Sequence, residues 1–336
     1  MKKIQFIFSL LLFTLLVSCK NEPQKSDYFT SNEQGLKNGG VKMISIQTPK
    51  GKFNVWTKRI GNNPKVKLLL LNGGPGMSHE YFECMESFLP KEGIEFIYYD
   101  QLGTGFSDNP NDTTMWDLSR YVEEVEQVRK ALDLDKDNFF ILGHSWGGIL
   151  GMQYALKYQS NLKGLIVSNM MASCPKYGEY SKVLAKQMNP EVLKTIQDLE
   201  AKKDYSNPKY MELLMENFYN KHILRRPVAD WPEPVNRAMS RLNSSLYITM
   251  QGPSELGISG KLTHWDVSKL LPTITVPTLV IGAKHDTMDP EYMKWMATQF
   301  KNGTYLYCQN GSHMSLYDDQ ETYFKGLIDF LNKGNK

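Results

Sequence analysis

Hydrophobic and polar positions follow two rhythms along this chain, and the change from one to the other marks out its elements. From Gly40 the rhythm has a period of two: Val41, Met43, Ile44 and Ile46, then Phe53, Val55 and Thr57 after a Pro49-Lys50-Gly51 turn. That predicts an antiparallel hairpin at a sheet edge. Lys67-Leu68-Leu69-Leu70-Leu71 is instead a continuous apolar run, as in a strand of a parallel sheet covered on both faces. Ile94 to Tyr99, Phe139 to Leu142, Gly164 to Ser168, Val276 to Gly282 and Thr304 to Tyr307 predict further strands. Leu118, Tyr121, Val122, Val125, Val128 and Leu132 recur at steps of three and four, which is one face of a helix. A closing helix is predicted from about Asp319 to Leu331. Strands alternating with helices predict an α/β fold: a mostly parallel sheet with helices on both faces.

Between about Met171 and Asp266 the character shifts. Strand patterns disappear, helical patterns rich in Met, Tyr and Lys take over, and Pro190, Pro208, Pro227, Pro232, Pro234 and Pro253 break them up. This stretch predicts a helical cap inserted into the α/β domain, with an underside placed to line a pocket. The chain then divides into a leader over 1–18, a polar tether over 19–38, core over 39–170, cap over 171–266 and core again over 267–336.

The leader is Met-Lys-Lys followed by an apolar run from Ile4 to Val17, short for a bilayer span but of signal-peptide length. It ends in Leu16-Val17-Ser18-Cys19, which resembles a bacterial lipobox, and that resemblance implies an exported protein held at a membrane surface by a diacylated Cys19. Loss of Lys2 and Lys3 with the leader takes the formal charge from +3 to +1. A charge so near balance gives no electrostatic footprint for nucleic acid. Cys84, Cys174 and Cys308 are then left, odd in number and widely scattered, which is no disulfide framework and leaves core packing or a single bridge open.

The chemistry centres on Gly143-His144-Ser145-Trp146-Gly147-Gly148, placed between an apolar strand and a helical pattern. Gly-x-Ser-x-Gly in that context is a nucleophile elbow, a turn so tight that the serine hydroxyl stands clear of both elements. Ser145 is the candidate nucleophile. A serine needs a base and the base needs an orienting carboxylate, in the chain order Ser, Asp, His for this arrangement. Asp286 and His313 satisfy that order, each a few residues beyond an apolar strand. The oxyanion of an acyl-transfer intermediate needs amide donors. Trp146 N–H, directly after the nucleophile, supplies one, and the Asn72-Gly73-Gly74-Pro75-Gly76 loop supplies the other, from Gly74. The Gly103-x-Gly105 pair has no third glycine and no suitable helix after it, so it predicts a shaping loop beside the site and not a phosphate cradle. His79, His144, His222, His264 and His285 have no metal-ligand spacing, and neither a metal nor a redox cofactor is expected.

Asn72-Gly73-Gly74-Pro75-Gly76, Asp100-Gln101-x-Gly103-x-Gly105-x-Ser107, Gly143-x-Ser145-x-Gly147-Gly148 and Gly311-Ser312-His313 together resemble the proline iminopeptidase family of serine aminopeptidases. The resemblance runs from about Gly40 to the C-terminus and implies an α/β-hydrolase core with a helical cap, acting on short peptides with a free N-terminus. Within the cap, Gln251-Gly252-Pro253-Ser254-Glu255-Leu256 and His264-Trp265-Asp266 resemble the archaeal tricorn-associated members. That likeness implies that Glu255 binds the substrate's amino group. Two positions depart from the pattern: Asn72 stands where the family usually has His, and Thr287 where those relatives have a second glutamate after the catalytic Asp. Asp289 is the nearby candidate to replace it. An esterase or lactonase on the same core, or a ligand-binding lipoprotein with an inactive core, are the competing readings. Ser145 at the elbow argues against relatives whose nucleophile is a carboxylate.

Overall fold

The computed structural model describes residues 35–36 and 38–333, so the leader, Cys19 and most of the tether lie outside the described residues. Eight strands form one sheet: β1 Val41–Thr48, β2 Gly51–Ile60, β3 Lys67–Leu71, β4 Glu95–Asp100, β5 Phe139–His144, β6 Gly164–Ser168, β7 Thr278–Ala283 and β8 Gly303–Cys308. Their spatial order is β1-β2-β4-β3-β5-β6-β7-β8. The β1–β2 hairpin is antiparallel in the register Val41↔Lys58 to Thr48↔Gly51, β2 meets β4 antiparallel, and every later pairing is parallel.

Successive side chains of a strand point to opposite faces, and here both faces are covered. Leu69, Leu71, Ile141, Val167 and Val280 pack with α1 Leu118–Ala131 and α2 Trp146–Tyr158 on one side. Leu68, Leu70, Phe140, Leu142, Ile166 and Ile281 pack on the other, against Tyr81, Phe82 and the closing helix residues Phe324, Leu327 and Leu331. Leu68 to Leu71 are each 0% exposed, and burying each such side chain contributes about 1.5–3 kcal/mol. This is why the four positions after Lys67 are all leucine.

After β6 the chain forms α3 Cys174–Ala185, α4 Pro190–Ala201, α5 Pro208–Leu214, a π-type turn over Met215–Tyr219, α6 Asn220–His222, α7 Glu233–Ser240 and α8 Ser244–Met250. The stretch is tied at its base, where Ser173 and Asp266 form an antiparallel bridge. Pro190, Pro208 and Pro234 do not break these helices. They sit in the first turn, where the missing N–H has no intrahelical acceptor, and Asn189 and Asn207 cap the backbone amides just beyond the first two. The apolar cluster under the sheet continues into Leu184, Ile196, Leu214, Phe218 and Val235, so these helices share their core with the sheet. Two ion pairs also hold them down, Arg237 to Glu83 at 2.7 Å and Arg241 to Glu80 at 2.6 Å. Beyond β7 the chain forms α9 Pro290–Gln299, a helix the sequence pattern left unassigned, then α10 Ser315–Asp318 and α11 Gln320–Lys333. Among the described residues no helix is long and apolar enough to cross a membrane, and Cys84, Cys174 and Cys308 are all free thiols.

Candidate active site

The elbow joins β5 to α2 through Ser145 at φ 55°, ψ −126°, a conformation that costs about 1–3 kcal/mol and persists only where the surroundings impose it. They do so by close approach. A Cβ on Gly143 would lie 2.0 Å from the Gly147 carbonyl oxygen, and one on Gly147 would lie 2.0 Å from that of Leu71. Ser145 N–H donates to Ser168 O at 3.0 Å, which pins the turn to the end of β6.

The loops after β7 and β8 bring Asp286 and His313 together, with His313 Nδ1 and Asp286 Oδ1 at 2.8 Å. A carboxylate only accepts, so Nδ1 carries the proton and Nε2 keeps its lone pair. Asp286 is fully buried and accepts three further bonds, from Asn169 Nδ2 at 2.7 Å, Met288 N–H at 3.1 Å and the Thr287 hydroxyl at 3.3 Å. Burial alone would push the His313 imidazole down, but the Asp286 carboxylate, with Glu255 further off, overcomes it and holds the ring above the usual histidine value.

A second histidine fixes the geometry of both neighbouring loops. His144 Nε2 lies 2.8 Å from the carbonyl oxygen of His313, which can only accept, so this nitrogen carries the hydrogen. Burial, with His313 alongside, pushes the His144 imidazole down to about 3, so the ring is neutral and Nδ1 accepts. Tyr81 OH donates to it at 3.3 Å and in turn accepts from Gly73 N–H at 2.7 Å. The Gly73 N–H is thereby engaged, and Gly73 and the next residue, Gly74, both line the cavity that holds Ser145. Trp146 N–H opens α2 and has no intrahelical acceptor. The Trp146 indole is held by Gln101 Oε1 at 2.8 Å, and Gln101 Nε2 reaches Asn72 O at 3.2 Å, so the glycine-rich loop after β4 does shape the site. Asn72 Nδ2 bonds Met77 O at 2.9 Å across its own loop.

Ser145, His313, Gly74 and Glu255 all line one cavity of about 150 Å³ between the sheet loops and the helices that follow β6. Its remaining wall is largely aromatic and aliphatic, with Tyr205, Tyr219, Met239, Leu242 and Met314 among the lining side chains. Glu255 is half-buried. Tyr177 OH donates to its Oε2 at 2.8 Å and Tyr247 OH to its Oε1 at 2.6 Å, while its backbone N–H donates to Tyr219 OH at 3.3 Å. Among the described residues no cation pairs with this carboxylate.

Thr287, in place of a second carboxylate, is buried, with its hydroxyl 3.3 Å from Asp286 Oδ1 and 3.4 Å from His313 Nδ1. Asp289 does not take over. Its side chain accepts from Glu291 N–H at 3.0 Å as the cap of α9, and it lies outside the cavity lining. Sequence reasoning missed Tyr81, Asn169 and the three tyrosines around Glu255. Asn169 carried a faint signal, as a polar residue just after a buried strand, but the tyrosines converge from α3, the π-type turn and α8 with no shared spacing. Among the described residues no group of three or more His, Cys, Asp or Glu side chains could hold a metal ion.

A family model described as alpha/beta hydrolase fold matches residues 67–320. The proline iminopeptidase of Flavobacterium johnsoniae is 59% identical over 294 residues, covering 87% of this chain and 98% of its own. That of Saccharolobus solfataricus is 34% identical over 267 residues, covering 79% and 84%. Among solved structures, the proline iminopeptidase of Mycobacterium smegmatis aligns with a TM-score of 0.75 at 28% identity, covering 86% of this chain and 98% of that one. The structure of VinJ aligns at 0.80 and 29%, covering 87% and 98%. Identity of this extent over most of both chains shows the family, and the chain belongs to the proline iminopeptidase family of the α/β-hydrolase fold.

Proposed function

We propose that the protein is a serine aminopeptidase that releases an N-terminal residue, proline or a small apolar one, from short peptides. The observation that carries the substrate reading is Glu255. Each of its oxygens takes one phenol, which leaves lone pairs for a substrate ammonium, and no protein cation competes among the described residues. The cavity is small and largely apolar, and a space of this size holds a single small ring such as benzene. A prolyl ring fits such a space, and its secondary amine then faces the carboxylate.

In this reading Ser145 Oγ attacks the carbonyl carbon of the first residue while its proton passes to His313 Nε2. Asp286 holds the ring's other nitrogen and stabilises the imidazolium. The oxygen that gains charge is received by Gly74 N–H and Trp146 N–H. His313 then gives its proton to the nitrogen of the departing peptide, the C–N bond breaks and an acyl-enzyme remains on Ser145. A water molecule, deprotonated by His313, returns the serine and frees the amino acid.

The test compares a prolyl arylamide, its N-acetylated form and a short-chain acyl ester, with Ser145→Ala as the blank. Cleavage of the free-amine substrate and loss of turnover on acetylation support the reading. Turnover of the ester alone makes the protein an esterase, and activity at the Ser145→Ala level for all three removes the catalytic reading. The same proposal includes the 171–266 segment as a cap that selects for the amine. It also includes an exported, lipid-anchored form with Cys19 as the modified residue, supported by the leader and lipobox pattern.

A further inference from the structure

A second concavity, of about 620 Å³, lies around the end of α6 and has the charge pattern of a ligand site. Its polar wall carries Lys221, His222, Arg225, Arg226 and His285, and no carboxylate is part of the lining. Among the described residues none of the two arginines and the lysine forms an ion pair. The arginines are held in place by neutral acceptors, Arg225 Nη1 by Asn310 O at 3.1 Å and Arg226 Nη2 by Tyr317 O at 2.9 Å. Leu184, Met188 and Pro227 form an apolar side of the same space. In a chain whose formal charge is only +3, this gathering of cations in a concave site is a local feature, and a cleft lined by one sign of charge concentrates the opposite ion.

We propose that this crevice binds a small organic phosphate, with the oxyanion on Lys221, Arg225 and Arg226 and a short apolar body against Leu184, Met188 and Pro227. His222 is the group that reports occupancy. Its Nδ1 faces the His285 carbonyl at 3.0 Å and so carries the hydrogen, which leaves Nε2 as the nitrogen free to take up a proton. Burial pushes His222 down first, with Lys221 and Arg225 adding to it, against Asp286 and the bond to the His285 carbonyl. His285 is pushed down by burial and then by Arg225, Lys284 and His222. On the β8 side the neighbouring carboxylate is Asp318, which is engaged by Ser312 and by Arg225 N–H at 3.1 Å. An anion among these cations offsets their repulsion, so binding draws protons onto the two imidazoles. The same segment is bonded to the triad loops: His313 N–H donates to His222 O at 2.9 Å and Met314 N–H to Ile223 O at 2.8 Å. Occupancy is therefore placed to be felt at the catalytic histidine.

The experiment is an NMR titration of the histidine rings in the full soluble body, with phenyl phosphate as probe and sodium chloride at equal ionic strength as control. His222→Gln and His285→Gln assign the two resonances. In phenyl phosphate the apparent pKa of both rings rises relative to chloride, and Lys221→Gln and Arg225→Gln each weaken binding about tenfold. Lys221 is exposed, so its variant keeps the test sound should Arg225→Gln fold poorly. Identical titrations in the two salts, shifts confined to His144 and His313, or unchanged affinity in both variants would overturn the site. None of these readouts depends on peptidase activity, so the site and the proposed function fail separately.

Discussion

At the scale of single residues, Glu255 and Asp286 are two carboxylates whose surroundings give them separate duties. Glu255 faces the cavity with only phenols beside it, so its charge is available to a ligand. In Glu255→Gln, kcat/KM for a prolyl arylamide is expected to fall roughly 10- to 100-fold, the range for a lost hydrogen bond to a charged group. Turnover of a short-chain ester should stay near wild type, and an equal loss on both substrates would remove Glu255 from amine recognition. Asp286 instead serves His313. Asp286→Asn is expected to lower kcat by about 10⁴, as the wrong imidazole tautomer is then favoured. The pH profile follows from the same pair. In the proposed mechanism catalysis needs His313 unprotonated, and the ring is held above its ordinary value by Asp286. Activity is therefore full on the alkaline side and falls as pH drops through that raised pKa, with the midpoint of the acid limb above about 6.5. In Asp286→Asn burial is left unopposed by its largest counterweight, and the midpoint should move down. A limb that stays in place would mean that another group controls it.

At the scale of elements, the elbow was legible because its rules are local. A strand, a turn with a serine at positive φ and a helix must meet within a few residues, and only glycine at 143 and 147 lets them approach. Gly147→Ala tests that packing: its Cβ would press on the end of β3, costing about 1–3 kcal/mol. Urea unfolding measures the loss, and turnover should fall further than stability because Ser145 moves with the turn. The proline-rich stretch was harder to read. Prolines look the same whether they stop a helix or start one, and the capping asparagine just before Pro190 and Pro208 distinguishes the cases. Helix α9 escaped notice because its buried face is only Met293, Met296 and Ala297, too few turns for a period to stand out.

At the scale of the whole molecule, the leader adds an expectation separate from the fold. In a bacterial host, a radiolabelled or clickable fatty acid should label the full chain, and Cys19→Ser should abolish the label while the soluble body keeps its activity. A labelled Cys19→Ser variant would place the lipid elsewhere or remove the anchor. The sequence by itself determined what depends on neighbours along the chain: the strand order of chemistry, the elbow, the place of Asp286 and His313 after apolar strands, and the helical character of the insertion. These follow from period, sterics and hydrogen-bond demand within a dozen residues or so. Tertiary structure decided what depends on distant segments meeting. Three tyrosines from three helical segments converge on Glu255, and Tyr81 links Gly73 to His144, while His144 in turn holds the His313 loop. Asp289 turned away to cap a helix for the same reason: its partner was fixed by where the backbone amides of α9 lay, which no spacing in the sequence records.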